Sequence, residues 1–438
     1  MEDETMKYSY DEVIDIIQNT RRFGNYTGYQ VSKHMLEQLG NPQSGIPFVH
    51  IAGTNGKGST TAFLCKILEQ TGKKIGMFTS PHLIDFEERI RINGQYISKE
   101  DVTRLGNQLL EMHFELPPTM FDYCLVMAVL YFKEQKCDLM VMETGIGGRY
   151  DSTNALGTPE VAIITKIGFD HMAILGNTLE EIAGEKAGIM KQGVSVVVQS
   201  QQEPVRKVLL DTFQQINKET KEKDRIPKLY EVSREDLLYA SKLPRKMLGE
   251  FQVENAAAAI LAARVLFDRS QKPASNKEAA EEIEKYIRDG IAQTFWKGRM
   301  ELVNENPFFL IDGAHNAHGV YALAESLRCL YPDEKFHFIM GVMADKDYED
   351  MIEELLPLAI DFVTVTPESS RALQSKELAA CIEAKGVKAA YADDMEAVIR
   401  PYLPNWVQSK GVDTKTDTKT VAFGSLYFIG AIQKLWNT

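Results

Sequence analysis

Residues 47–60 read PFVHIAGTNGKGST, and this stretch determines how the rest of the chain is interpreted. The apolar run at 47–52 predicts a buried strand, and residues 59–70 predict a helix with one apolar face. The glycines between them allow backbone N–H groups to converge on an anion, and the helix N-terminus adds positive potential. A strand, a glycine-rich turn and a helix in this order predict a loop that binds phosphate groups.

The side chains of this loop fit a nucleotide. Lys57 can place an ammonium group against the terminal phosphates, and Ser59 and Thr60 offer hydroxyl groups at the start of the helix. The loop departs from the general GxxxxGK[ST] pattern, because Gly58 separates Lys57 from Ser59. The alternative is an ordinary glycine-rich turn, which the flanking strand and helix disfavour. The candidate nucleotide-binding residues of the loop are Thr54, Asn55, Gly56, Lys57, Gly58, Ser59 and Thr60.

Strand-like and helix-like runs alternate along most of the chain. Apolar runs at 74–79, 139–142, 161–167 and 194–198 predict further strands, so we expect an α/β fold with a doubly wound, mostly parallel sheet. The alternation restarts near residue 300 and predicts a second, smaller Rossmann-like α/β domain. We expect the first domain to span residues 1–296 and the second to span residues 297–438.

Charge and composition limit the classes of partner. The formal net charge of −13 argues against nucleic acid as a partner but allows a local anion site. No apolar run reaches the roughly 20 residues of a membrane span, and the acidic start predicts no signal peptide. We therefore expect a cytoplasmic monomer that does not act on membranes. The cysteines form no CxxC pair and predict buried free thiols; they are Cys65, Cys124, Cys137, Cys329 and Cys381.

Three polar sites follow predicted strands and are candidate ligands of Mg²⁺, which prefers hard oxygen donors. Glu143 ends the apolar run at 139–142, Ser80 follows the run at 74–79, and Asp170 with His171 follows the run at 161–167. Each has a structural alternative, since a strand-end glutamate is often a cap and a single histidine is often structural. Their shared position at the carboxyl ends of strands favours a ligand site.

Lys186 lies on the apolar face of a predicted helix. Thr178 and Glu181 fit a capping box, and Leu179, Ile182 and Ile189 share helical spacing with the lysine. A buried ammonium group is costly unless it is paired or modified. Two alternatives remain open from the residues alone. The lysine could bury its methylene groups and extend its ammonium group to solvent, or it could form an ion pair with Glu185 or Asp170.

An ordered set of motifs runs along nearly the whole chain. The segments are HIAGTNGKGS at 50–59, TSPHL at 79–83, ERI at 88–90, ETGIGGR at 143–149, TN at 153–154, DH at 170–171, GEKAGI at 184–189, NA at 255–256, GR at 298–299 and DGAHN at 312–316. This set resembles the folylpolyglutamate synthase family, including the bifunctional dihydrofolate synthases, within the Mur ligase superfamily.

The resemblance implies a reaction in which ATP phosphorylates a folate carboxylate and L-glutamate then attacks the acyl phosphate. The substrates implied are folate or tetrahydrofolate, with dihydropteroate also open, and the cofactor implied is Mg²⁺. The resemblance also assigns residues. Lys57, Lys186 and His171 would be catalytic, with Lys186 carbamylated to N6-carboxylysine; Ser80, Glu143 and His171 would bind Mg²⁺; Asn255, Arg299 and Asp312 would bind ATP with the glycine loop; and His82, Arg89 and His315 would lie near the folate or glutamate.

Two other functions compete with this one. A Mur peptidoglycan ligase shares the chemistry but carries a further N-terminal domain, for which the 52 residues before Gly53 are too few. A nucleotide-gated binding protein without ligase activity would keep the loop but has no need of a second α/β domain with Asp312 and His315.

Overall fold

The structure is a computed structural model that describes residues 7–20, 28–219, 226–270, 277–403 and 419–436. The chain forms two compact units. Unit 1 is Met1–Arg245 with Val253–Thr294, and unit 2 is Lys246–Gln252 with Phe295–Thr438. The assignment of ATP binding to the first domain and of glutamate binding to the second stays a prediction.

Unit 1 is built on a mostly parallel sheet, in the order β4-β3-β2-β5-β1-β6-β7-β8. Only the β2–β3 and β3–β4 pairs of this order are antiparallel, and the remaining pairs are parallel. The strands are β1 Phe48–Ala52, β2 Ile75–Phe78, β3 Ile90–Ile92, β4 Gln95–Tyr96, β5 Leu139–Glu143, β6 Val161–Ile164, β7 Ser195–Val198 and β8 Leu229–Glu231.

Both faces of this sheet are covered, since every residue of β1, β2, β6 and β7 is buried. Continuous apolar strands of this kind are typical of parallel sheets with both faces covered. The helices are α1 Tyr10–Asn19, α2 Gln30–Gln38, α3 Lys57–Glu69, α4 Lys99–Glu111, α5 Met120–Glu134, α6 Met172–Leu175, α7 Leu179–Lys186, α8 Glu203–Asn217, α9 Arg234–Ser241, α10 Glu250–Ser270 and α11 Lys277–Gln293. The division between units falls inside α10, at residues 252–253.

Strand β6 is shorter than the sequence predicts, since it ends at Ile164 instead of Ile167. The β6–β7 ladder stops there because side-chain amides replace the neighbouring strand. The backbone N–H of Lys166 donates to Gln199 Oε1 at 2.8 Å, and that of Ile167 donates to Gln201 Oε1 at 3.1 Å. The segment 165–168 therefore leaves the sheet as an ordered support for the loop beside it.

Unit 2 is a second, smaller α/β layer around a sheet in the order β13-β12-β11-β14-β10-β9. Its pairs are parallel except for β9 with β10. The strands are β9 Glu301–Glu305, β10 Phe308–Ile311, β11 Phe336–Met340, β12 Ala359–Val365, β13 Ala389–Ala392 and β14 Lys419–Phe423. The helices are α12 Ala317–Leu330, α13 Tyr348–Leu355, α14 Ser375–Ala384, α15 Met395–Ile399 and α16 Leu426–Trp436. The predicted α/β fold with two mostly parallel sheets is confirmed.

The cysteines are free, as the sequence predicts, but they are not all buried. Cys65, Cys124 and Cys137 are buried, whereas Cys381 is partly exposed and Cys329 is exposed. Cys329 belongs to the last turn of α12, whose core-facing residues are Val320, Leu323 and Leu327, so its thiol falls on the solvent face of that helix. Over the described segments, no helix combines the length and apolar character that a membrane span requires.

Candidate functional site

The candidate site of unit 1 lies at the carboxyl ends of four neighbouring parallel strands, β2, β5, β1 and β6. The chain turns in opposite directions on the two sides of β1, because β2 and β5 lie on one side and β6 on the other. Open α/β sheets bind ligands at this kind of reversal, outside the carboxyl ends of the strands. The loop after β1 and the predicted metal ligands after β2, β5 and β6 all belong to this edge.

The glycine loop after β1 depends on two glycines. Gly56 caps α3 with a left-handed φ of +87°, and a Cβ there would lie 2.3 Å from Asn255 Oδ1. A Cβ on Gly53 would lie 1.8 Å from Thr165 Oγ1. Neither position accommodates a side chain without moving a buried neighbour, so the backbone of the loop follows closely the surface formed by residues 165–168 and by Asn255.

The loop is held to the segment after β6 by its own backbone. The N–H groups of Thr54 and Asn55 both donate to the Lys166 carbonyl oxygen, at 2.9 and 3.2 Å. The Thr54 hydroxyl donates to the Gly168 carbonyl oxygen at 2.9 Å. These contacts orient the first half of the loop, and α3 orients the second half, since the N–H of Thr60 donates to the Gly56 carbonyl oxygen at 2.9 Å.

Two lysine side chains converge on one atom of the loop. Lys57 Nζ donates to the Gly53 carbonyl oxygen at 3.1 Å and to that of Thr54 at 3.2 Å. Lys186 Nζ donates to the same Gly53 carbonyl oxygen at 2.9 Å. Positive charge is thus concentrated at the N-terminus of α3, where the helix dipole also favours an anion.

Lys186 is only 3% exposed. Burial, followed by the positive charge of Lys57, lowers its pKa to about 7. Of the partners considered from sequence, Glu185 points its carboxylate towards Arg149 instead, 3.6 Å from Arg149 Nε. A lysine with this pKa is neutral in about half of the molecules at pH 7, and its amine is then nucleophilic.

The position of Lys186 is fixed by close backbone packing. The end of α7 lies against the loop that follows Glu143, where a Cβ on Gly148 would lie 2.8 Å from the Lys186 carbonyl oxygen. On the other side, a Cβ on Gly188 would lie 2.3 Å from the Arg149 Cα. Asn154 Nδ2 donates to the carbonyl oxygens of both Gly148 and Gly188, at 3.2 Å each. These glycines let the two backbones touch, and the asparagine fastens them together.

The three predicted metal ligands occupy different environments. Glu143 is the last residue of β5 and is 3% exposed, and Ser80 follows the paired strand β2 by two residues. His171 is exposed and directly precedes α6 as its N-cap in a left-handed conformation, with φ of +51°. The described residues hold no cluster of three or more histidine, cysteine, aspartate or glutamate side chains suited to a metal. One buried carboxylate and one hydroxyl fit Mg²⁺, which usually keeps several waters and takes only one or two protein carboxylates.

The predicted substrate residues after β2 contact each other. Arg89 Nε donates to His82 Nδ1 at 2.9 Å, so the imidazole keeps its proton on Nε2 when it is neutral. The Glu88 carboxylate closes the intervening loop by accepting from the N–H groups of Leu83 at 2.8 Å and Ile84 at 3.0 Å. Sequence similarity suggested these residues separately, and the structure joins them into one ordered loop.

The predicted residues of unit 2 lie at the end of β10. The buried Asp312 carboxylate accepts from the N–H groups of Met300 at 2.7 Å and Ala314 at 2.8 Å. Burial raises its pKa, although the Arg299 guanidinium opposes this shift. A Cβ on Gly313 would lie 2.4 Å from Arg299 Nη1, and His315 Nδ1 lies 2.8 Å from the Gly313 carbonyl oxygen. Arg299, Asp312 and His315 therefore form one cluster, whose predicted roles towards ATP and glutamate are not tested by these contacts.

Sequence reasoning missed a buried relay beneath the site. His50 Nε2 lies 2.7 Å from Thr153 Oγ1, and that hydroxyl donates to Asp151 Oδ1. Burial lowers the pKa of His50 to about 3 and raises the pKa of Asp151. Asp151 also accepts from the N–H of Ile146 at 2.8 Å, within the loop after Glu143. The motif TN at 153–154 contained the signal, but only the fold pairs it with β1.

Two known family models match this chain. Residues 51–263 match the Mur ligase middle domain, and residues 298–412 match the Mur ligase glutamate ligase domain. The dihydrofolate synthase/folylpolyglutamate synthase of Bacillus subtilis is 35% identical over 446 residues, covering 97% of this chain and 99% of that protein. The folylpolyglutamate synthase of Lacticaseibacillus casei is 28% identical, covering 97% and 98%.

A solved structure agrees with these matches. Mycobacterium tuberculosis folylpolyglutamate synthase, complexed with ADP and AMPPCP, superposes with a TM-score of 0.80 at 25% identity. The superposition covers 97% of this chain and 98% of that one. The similarity therefore extends over both units and is not confined to the glycine loop.

Proposed function

Because the chain belongs to the folylpolyglutamate synthase family of Mur ligases, we propose that it is an ATP-dependent ligase that adds L-glutamate to the γ-carboxylate of folates. The observation that carries this proposal in the structure is the glycine loop at the start of α3, with Lys57 and Lys186 converging on its Gly53 carbonyl. Lys57, the N–H groups of the loop and the N-terminus of α3 supply the positive potential that a triphosphate requires. ATP is the co-substrate, as the ADP and AMPPCP complexes of the M. tuberculosis relative support.

The reaction follows from the low reactivity of a carboxylate towards an amine. A folate carboxylate oxygen attacks the γ-phosphorus of ATP. The bond between this phosphorus and the oxygen that bridges the β- and γ-phosphates breaks, and ADP leaves with the electron pair of that bond. The amine of glutamate then attacks the acyl carbon and loses a proton, and inorganic phosphate departs. Lys57 and the loop N–H groups stabilise negative charge on the transferring group, which is the main contribution a protein makes to phosphoryl transfer.

Mg²⁺ is the metal that we assign to this edge, with Glu143, Ser80 and His171 as the residues that would hold it. When bound, it would offset the repulsion between the triphosphate and the incoming carboxylate. Glu143 supports this assignment best, because its buried carboxylate ends β5 next to the glycine loop.

Lys186 is proposed to carry a carbamate. A neutral amine attacks CO₂ and releases a proton, so the product is an anionic oxygen donor where a cation stood before. The pKa of about 7 makes this addition possible at neutral pH, whereas an ordinary lysine is almost entirely protonated there. Incubation with ¹³C-bicarbonate should give a carbamate carbon resonance that is absent from Lys186→Met. A wild-type enzyme that is active without this resonance contradicts the modification.

We assign the remaining roles by unit. Unit 1 is the ATP-binding domain, with His82 and Arg89 near the pteroyl substrate, and unit 2 is the glutamate ligase domain, with His315 near the amino acid. Asn255, Arg299 and Asp312 are proposed to contact ATP. We also propose a cytoplasmic monomer that acts on small molecules and binds neither nucleic acid nor membranes, in line with the net charge of −13. Sedimentation analysis of the full chain tests the monomer.

Lys57→Ala is the first test of the function. Ligation should fall about a hundredfold or more, because the variant loses a charged donor to the transferring phosphoryl group. Lys73→Ala is the matched control, since it removes the same charge from an exposed position after α3. Glutamate incorporation and ADP release are measured with tetrahydrofolate and dihydropteroate offered separately. Full turnover by Lys57→Ala contradicts the role of the loop, and wild-type protein that yields no ADP with either acceptor contradicts the function itself.

The two acceptors also separate the possible activities. Product from tetrahydrofolate alone identifies a folylpolyglutamate synthase, and product from both identifies a bifunctional enzyme. The B. subtilis relative is named for both activities. Nucleotide binding without any product would instead favour the nucleotide-gated binding protein.

A further inference from the structure

A buried glutamine links the two halves of the glycine loop. Gln199 directly follows β7, is 1% exposed, and uses both ends of its amide. Its Oε1 accepts from the backbone N–H of Lys166 at 2.8 Å, and its Nε2 donates to Asn255 Oδ1 at 2.9 Å. The two partners belong to different elements, since Lys166 lies in the segment after β6 and Asn255 lies in α10.

The orientation of the side-chain amides of Gln199 and Asn255 follows from the backbone N–H of Lys166. A backbone N–H can only donate, so the atom of Gln199 that faces Lys166 must be the oxygen. The other end of Gln199 is then its NH₂ group, which can only donate. The atom of Asn255 that it meets must therefore be Oδ1, and Asn255 Nδ2 is the terminal atom turned away from Gln199.

Each partner of Gln199 also contacts the loop. Asn255 Oδ1 lies 2.3 Å from the position that a Cβ of Gly56 would take, and the Thr60 hydroxyl donates to it at 3.5 Å. On the other side, the Lys166 carbonyl oxygen accepts from the N–H groups of Thr54 and Asn55. One side chain thus supports both the first residues of the loop and the start of α3.

We propose that Gln199 is a positioning residue for nucleotide binding, which fixes the polarity of Asn255 so that this residue presents a hydrogen-bond donor to ATP. This inference rests on the proposed ATP site. An acceptor atom of the nucleotide, such as a phosphate oxygen or a ring nitrogen, is the matching chemistry. Gln199 itself does not touch the nucleotide and acts through Asn255 and Lys166.

Gln199→Glu tests this polarity with little change of shape. One carboxylate oxygen can still accept from the Lys166 N–H, but the other can no longer donate to Asn255. The asparagine amide must then rotate by half a turn to donate to the glutamate, and it presents Oδ1 to the nucleotide. The KM for ATP should rise about ten- to a hundredfold, because two acceptors then face each other. The kcat should change by less than about threefold, since the reacting groups are untouched.

The pH dependence of Gln199→Glu distinguishes positioning from general damage. A protonated glutamic acid can donate from its hydroxyl group as the glutamine amide does, whereas the ionised form cannot. The ratio of KM for ATP between the variant and wild type should therefore increase with pH between about 6 and 9, the range that a glutamate with a pKa raised by burial would span. A ratio that stays constant over this range contradicts the inference.

Gln201→Glu is the matched control. Gln201 holds the same segment through different partners, because it accepts from the N–H of Ile167 at 3.1 Å and donates to the Thr165 carbonyl oxygen at 3.0 Å. Its effect on KM measures the general cost of a carboxylate in this segment. We expect the rise in KM to be about tenfold larger for Gln199→Glu than for Gln201→Glu.

A double-mutant cycle identifies the route of the effect. If Gln199 acts through Asn255, then Gln199→Glu should raise KM further by less than about twofold in an Asn255→Ala background. Additive effects in the cycle, or equal shifts for Gln199→Glu and Gln201→Glu, overturn the proposal while leaving the ligase function intact. Wild-type protein without ATP-dependent ligation overturns the function first, and the two failures are therefore distinguishable.

Discussion

Replacing Lys186 by methionine should make unit 1 more stable at neutral pH while abolishing ligation. Methionine has a similar length and no charge to bury, and the Gly53 carbonyl oxygen keeps its hydrogen bond from Lys57. The wild-type lysine is 3% exposed, and its pKa falls from 10.5 to about 7 because of burial and of Lys57. That depressed pKa is the free-energy cost of burying the ammonium group.

The magnitude follows from the two pKa values. A difference of 10.5 − 7, at about 1.4 kcal/mol for each pH unit, corresponds to roughly 5 kcal/mol at low pH and about 4 kcal/mol at pH 7. The hydrogen bond from Lys186 to Gly53 offsets about 1 kcal/mol of this cost. The methionine variant should therefore be about 3 kcal/mol more stable at pH 7.

The sign of the pH dependence is fixed by proton uptake. Between pH 7 and 10.5 the unfolded chain holds a proton on Lys186 that the folded chain has lost, so the stability of wild type rises with pH in this window. Methionine takes up no proton in either state. The advantage of Lys186→Met should consequently shrink by about 2 kcal/mol between pH 7 and pH 9.

Hydrogen exchange measured by mass spectrometry is the suitable assay, because peptides from β1 and α3 report the unfolding of unit 1 alone. The buffers must be free of CO₂, which would otherwise modify the wild-type amine. Lys73→Met is the control, since Lys73 is exposed and should give a difference that does not depend on pH. A stability difference for Lys186→Met that stays constant from pH 7 to 9, or that grows with pH, would refute the reasoning.

Two further substitutions test the glycine loop and the buried relay. Gly56→Ala should weaken binding of the ATP–Mg²⁺ complex about a hundredfold, because its φ of +87° and a contact of 2.3 Å with Asn255 Oδ1 both exclude a methyl group. Titration calorimetry measures this, and unchanged affinity would exclude the loop as the phosphate site. Thr153→Val should cost about 2 kcal/mol of stability, since Asp151 and His50 both lose a buried hydroxyl partner, and Thr153→Ser should recover most of it. Equal melting temperatures of the two Thr153 variants would contradict the relay.

The central strands of the first sheet could be predicted from the sequence because they are buried on both faces. Strands of that kind are continuous apolar runs, as in 139–142 before Glu143, and they alternate with helical segments. The glycine loop could also be predicted, since the strand before it, its glycines and the helix after it are adjacent in the sequence. These local signals explain why the fold class could be predicted, and the family matches agree with it.

The β3–β4 hairpin was not predicted, although the sequence contains its signal. Asn93 and Gly94 occupy its turn with φ of +49° and +79°, the conformation that the Asn-Gly pair favours between two short strands. The flanking strands have only three and two residues, and Arg91 interrupts the apolar pattern. A search for turn residues would have found this element where a search for apolar periodicity failed.

The supporting residues of the site were missed for a different reason. Gln199 and Gln201 stand after a strand in a polar segment, where no periodicity distinguishes a buried amide from an exposed one. Their roles depend on the neighbouring strand β6, whose ladder they terminate. Pairing between segments that are more than 30 residues apart is a property of the sheet order, which the sequence of either segment does not contain.

The arrangement of the two lysines favours a neutral amine on Lys186. Two ammonium groups that share the Gly53 carbonyl oxygen repel each other, and the low local polarity around Lys186 strengthens this repulsion. A site selected for stability alone would place an apolar residue there. The chain has a lysine here whose amine is readily neutral, and an attack on CO₂ requires that neutral form. The unfavourable burial of this one side chain therefore favours the proposed carbamate over a purely structural role for Lys186.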